Sequence, residues 1–160
     1  MTQENQLKAL LVRNSLWNLH KEFLNVLKIN NDKKNGYVSA PTEWFNLLMN
    51  SPEFLWVKEI NSLMADVDIL SEIQTIQLDH LQSLRFEIES LFLTPHTKTS
   101  SFHQKYLSFL MQESSLLPLH AQLIASVKTL PAPENQTSQE TTNRQKWHTE
   151  HQIQSRLRRN

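Results

Sequence analysis

The chain has 160 residues, sixteen basic against sixteen acidic side chains, no cysteine and a single glycine. That length suits one domain able to bury about two-thirds of its unfolded surface. Zero net charge excludes a chain that binds nucleic acid by bulk electrostatics. Without cysteine there are no disulfides, thiol catalysis or cysteine-held zinc or iron–sulfur sites, and Gly36 alone cannot write a P-loop or a Rossmann fingerprint.

Scarce glycine also argues against sheets with many tight turns and for helices joined by few loops. The N-terminus Met1-Thr2-Gln3-Glu4-Asn5 lacks the basic-then-apolar plan of a signal peptide. No apolar run approaches the ~18 residues that span a bilayer. The expectation is a cytoplasmic protein that does not cross a membrane.

The first helix is expected from about Gln3 to Ile29. Ala9, Val12, Leu16, Leu19, Phe23 and Val26 recur at alternating spacings of three and four, which keeps one face on a core. Leu10, Trp17, Leu24 and Leu27 widen that stripe, so more than one neighbour should pack on it. The polar run Asn30 to Gly36 should end the helix, with Asn35-Gly36 as a turn.

A short helix follows from Pro41 to about Met49, with proline pre-set for a first turn and Glu43 suited to the helix N-terminus. Ser51 and Pro52 should cap and open the next helix, carrying Trp56, Ile60, Leu63, Val67 and Leu70. Ser71-Glu72 is the expected start of a fourth helix with Leu81, Leu84, Ile88 and Leu91. After a loop at 94–100, a fifth helix holds Phe102, Tyr106, Phe109 and Leu110. A sixth, capped at Ser115 with Pro118 in its tolerated first turn, holds Leu116, His120, Leu123, Val127 and Leu130. The expected fold is all-α, an antiparallel bundle of about six helices over residues 1–130.

At Pro131 the apolar stripe stops. Residues 131–160 are expected to be a flexible tail, disordered or conditionally helical. Its last part is basic: Arg144, Lys146, Arg156, Arg158 and Arg159 stand against one acid from Arg144 onward.

The Ala40-Pro41-Thr42-Glu43 and Ser51-Pro52-Glu53-Phe54-Leu55-Trp56 stretches, with Leu63 to Asp68, resemble a group of short bacterial all-helical proteins. The spacing of Phe102, Tyr106, Leu110 and His120 is similar too. The resemblance covers roughly Arg13 to Leu123 and rests on helix starts and core positions. Ala40 departs from it where a serine cap is expected, and Ser114 where a proline would open the last helix. It implies a helical fold and a bacterial, cytoplasmic setting and points to no particular activity; no cofactor is expected.

Chemistry is sparse. His20, His80 and His120 lie on or beside apolar stripes, so a bundle that joined them would hold a metal, a haem or another ligand. The favoured expectation is three independent, partly buried histidines, each with its own hydrogen-bonded partner, and the Glu-x-x-His pairs of a di-iron site are absent. Asp66 with Asp68, and Glu87 with Glu89, are two apart and cannot share a helical face; a solvated face is the expected place for such acids. Ser114 and Ser115 lack the glycines of a nucleophile elbow. His148 and His151, one turn apart, are too few for a zinc site.

Trp17, Trp44 and Trp56 are read as core anchors. Trp147 falls outside the expected core. Among Arg144, Lys146, Arg156, Leu157, Arg158 and Arg159 it reads either as the anchor of a protein-docking segment or as part of a solubilising tail. The basic residues alone would give RNA or an anionic surface only weak, salt-sensitive contact. The functional expectation is a non-enzymatic protein-interaction or regulatory helical module. The alternative is a ligand-, haem- or metal-holding bundle built on the three histidines.

Overall fold

The computed structural model describes residues 2–93, 101–133 and 140–159, and the side chains of 3–93, 101–133 and 143–159. These residues form seven α-helices and no strand: α1 (Thr2–Asn35), α2 (Pro41–Asn50), α3 (Lys58–Ser71), α4 (Leu78–Phe92), α5 (Ser101–Gln112), α6 (Leu116–Lys128) and α7 (Glu140–Arg159). A 3-10 helix, Pro52–Val57, joins α2 to α3. Six of the seven lie within residues 1–130, as the periodicity predicts. The expected loop at 94–100 lies outside the described residues.

The spine is α1, which packs against α6, α3 and α4. Its stripe of Ala9, Val12, Leu16, Leu19, Phe23, Val26 and Leu27 is buried from end to end. Three helices on one spine explain why its apolar face is wide. The helix does not stop at Ile29. Asn31 faces inward, and the ammonium of Lys28 meets Asp32 one turn on at 2.7 Å. Asp32 Oδ1 then accepts from the amide and hydroxyl of Ser39, which ties down the following loop. Bonding to Lys28 and Ser39 holds the Asp32 carboxyl below its ordinary range. The helix ends at Gly36, whose φ of 80° suits glycine alone.

Around Phe23 the rings of Trp56, Phe102, Tyr106 and Phe109 stand edge-on at 5.5–5.9 Å between centroids, the arrangement that ring quadrupoles favour. Trp56 belongs to the 3-10 helix rather than to α3, and is half-buried. Ser51 caps that segment, its hydroxyl accepting from the Glu53 amide at 3.4 Å. Trp44 meets Phe54 edge-on at 5.2 Å. Trp17, expected inside, is 52% exposed; it sits beyond the edge of the stripe that α1 turns to its neighbours.

Ser71-Glu72 does not start a helix. Residues 72–77 form a turn that sends Ile73 and Ile76 into the core, and α4 begins at Leu78. His80 Nδ1 accepts from the Gln77 amide at 2.9 Å, satisfying a donor of the helix start. Glu87 also departs from the solvated-face reading, since it is buried.

The largest correction concerns the last segment. Residues 140–159 are a helix packed on α3, and Trp147 is 1% exposed within the same core as Leu16 and Phe23. The indole finds its place because α3 and α4 together present Asp66, His80 and Ser83 to a helix whose own sequence shows no apolar stripe. The intervening residues 134–139, part of the expected flexible tail, lie outside the described residues.

Candidate functional site

The residues singled out by the sequence divide between two faces of α7. On the inner face, Trp147 Nε1 donates to Ser83 Oγ at 3.1 Å, and that hydroxyl donates onward to the His80 carbonyl at 2.9 Å. Arg144 pairs with Asp66 and donates to Ser62 Oγ at 2.7 Å. The second Asp66 oxygen accepts from His148 Nε2 at 2.5 Å, so one buried carboxylate is held by two cationic or hydrogen-bonding partners from successive turns. His151 Nε2 donates to Glu72 Oε2 at 2.8 Å, and Gln154 Oε1 accepts from the Gln74 amide at 2.8 Å. The polar contacts continue along α7 where the apolar anchor ends.

His80 completes this seat. Its Nδ1 is committed as an acceptor to the Gln77 amide, so the proton sits on Nε2 and is donated to Glu150 Oε2 at 2.6 Å. A cleft of about 110 Å³ remains beside it, lined by Asp79, His80, Ser83, Asn143, Lys146, Trp147 and Glu150.

The three histidines of the alternative reading stay apart. His20 Nε2 donates to Asn61 Oδ1 at 2.8 Å, His80 serves Glu150, and His120 Nδ1 accepts from the Tyr106 hydroxyl at 2.6 Å. Burial pushes the Tyr106 phenol far up and His120 down, which keeps the first a donor and the second a neutral acceptor. Among the described residues no three His, Asp or Glu side chains come together as a metal site would need. His148 and His151 reach two different acids rather than one shared point. Asp66 and Asp68 diverge as their spacing requires, Asp68 pairing with Arg13 on α1 at 2.6 Å.

On the outer face and at the tip of α7 the picture reverses. Lys146, Ile153, Arg156, Leu157, Arg158 and Arg159 are all exposed. Helical spacing sets Lys146, Ile153 and Leu157 in one row on the flank of α7 next to Glu150, roughly a quarter turn from Trp147, with Arg156 on the side opposite the indole. Of the seven residues expected to bind a partner, Arg144 and Trp147 are therefore spent inside the molecule. Sequence reasoning missed Asp66, Ser83 and Glu150 as the counterparts of that docking. Each is an ordinary polar residue in the sequence, and each lies 64–82 positions from its partner or shares α7 with the anchor.

No protein-family model, curated protein or solved structure matches the chain.

Proposed function

We propose that the protein is a non-enzymatic interaction module whose exposed α7 flank, around Ile153 and Leu157, engages an acidic, amphipathic helical segment of a protein partner. One observation carries this reading. Trp147 fixes the first half of α7 to the bundle, while Ile153 and Leu157 one turn apart remain 51% and 70% exposed, flanked by Arg156, Arg158 and Arg159. Two aliphatic side chains ringed by guanidiniums suit an apolar ridge with carboxylates at its rim. The arginines also complement the helix dipole at its C-terminal end, which accounts for their position but not for the exposed aliphatic pair. A reducing, cytoplasmic setting belongs to the same proposal and rests on the cysteine-free sequence.

The test is a titration of the full chain with a designed helical peptide carrying leucines at i, i+4 and glutamates around them. Ile153→Ser with Leu157→Ser should abolish binding and leave the melting temperature in place. Arg156→Gln, Arg158→Gln and Arg159→Gln together should mainly slow association and flatten its salt dependence. Preference for RNA or for phosphatidylserine vesicles over the peptide overturns the reading, as does binding that survives the serine pair.

A further inference from the structure

Apart from this reading's residues, α1, the 3-10 helix and α5 line a second cleft. It measures about 170 Å³ and is lined by Leu27, Asn30, Asn31, Lys34, Glu53, Phe54, Trp56, Lys105 and Phe109. The floor is Leu27, Phe54 and Asn31, all buried, and the walls are the half-buried Trp56 and Phe109, stacked 15° from parallel at 6.3 Å. Asn30, Lys34, Glu53 and Lys105 stand exposed at the mouth. A cavity of about 150 Å³ lined by apolar side chains takes one benzene ring, so this space admits one ring and little more.

Two polar features say what such a ring would carry. Asn31 is 6% exposed, and its Nδ2 is buried with no hydrogen-bond partner; a buried donor left unpaired costs free energy that an incoming acceptor would recover. Lys105 lies 5.3 Å from the centre of the Trp56 ring, and among the described residues no carboxylate pairs with it. Lys34 is partly neutralised by Glu53 at 3.6 Å. The net offer is one ammonium, one amide donor and an aromatic wall, with the Glu53 carboxylate disfavouring a second negative charge. A cationic ligand would meet the Lys105 ammonium beside the Trp56 ring and be repelled.

We propose that this cleft is a binding site for a small aromatic monocarboxylate. The ring lies along Trp56 and Phe109, and the carboxylate accepts from Asn31 Nδ2 and Lys105. The cleft shares no residue with α7, so the two proposals fail or succeed separately.

The probe is benzoate, titrated into the full chain and followed by the Asn31 side-chain amide signal in ¹H–¹⁵N spectra and by calorimetry. Benzoate should shift that signal saturably. Benzyl alcohol, which keeps the ring but not the charge, should bind at least about tenfold more weakly, as should acetate, which keeps the charge but not the ring. Lys105→Gln, at an exposed position, should weaken benzoate at least about tenfold with an unchanged melting temperature. Asn31→Leu should do the same without loss of stability, because it replaces an unpaired polar group by an apolar one of like size. The proposal is overturned if benzoate gives no saturable shift, if the alcohol, acetate or inorganic phosphate binds as tightly, or if both variants bind benzoate like the parent.

Discussion

Trp147 shows how much one side chain contributes when its surroundings are assembled from distant parts of the chain. Its ring fills core volume and its N–H meets Ser83, so Trp147→Ala should cost about 3–5 kcal/mol in urea denaturation. Trp147→Phe should cost less, since the Ser83 hydroxyl still has the His80 carbonyl to bond. Tyr106 and His120 make a second residue-scale test. Burial holds His120 below its ordinary 6.5, so the unfolded chain takes up a proton that the folded chain resists. The stability tied to neutral His120 is complete above about pH 6.5 and is lost as pH falls through the lower folded value. His120→Gln should therefore flatten the acid-side decline of urea midpoints that begins near that pH; an unchanged profile would show that other groups govern it.

At the scale of elements, α7 is held by one aromatic anchor and a file of polar contacts, an arrangement unlike the apolar stripes of α1 and α6. Asp66 is its polar keystone, bonded to both Arg144 and His148. Asp66→Asn should lower stability by about 1–3 kcal/mol, and hydrogen exchange should rise in α7 well before it rises in α1. Equal exchange along both helices would mean that α7 opens only with the whole fold. The same contrast explains what could be read in the sequence. The α1, α3 and α6 stripes are legible because burial along one face imposes its period on the residues themselves. Nothing of the kind marks α7, whose seat is made by Ser62, Asp66, His80 and Ser83 on other helices. A lone tryptophan among charges reads equally well as a tail. The start of α4 was hidden for a related reason: His80 takes the capping role from inside the helix, where the usual Ser or Asp signal ahead of Leu78 is missing.

For the molecule as a whole, the core gathers residues from Ala9 to Trp147 into one cluster, so a central truncation should be felt throughout. Leu63, 1% exposed in α3, should cost about 2–5 kcal/mol as Leu63→Ala, with circular dichroism and tryptophan fluorescence losing signal at one common midpoint. Separate midpoints would show that the bundle melts in parts. Arrangement, unlike helix content, was closed to sequence reasoning, because a periodic face states that it needs a partner without naming which. The partner that α1 takes has a consequence for biosynthesis. Its main neighbour is α6, which ends at Lys128, so the first helix leaves the ribosome long before the surface that covers it exists. At translation rates of about 5–20 residues per second, the side of α1 that meets α6 waits on the order of ten seconds for that cover. Through that interval the nascent chain presents a partly uncovered apolar ridge, and it is then, rather than in the finished fold, that chaperones have the most to shield.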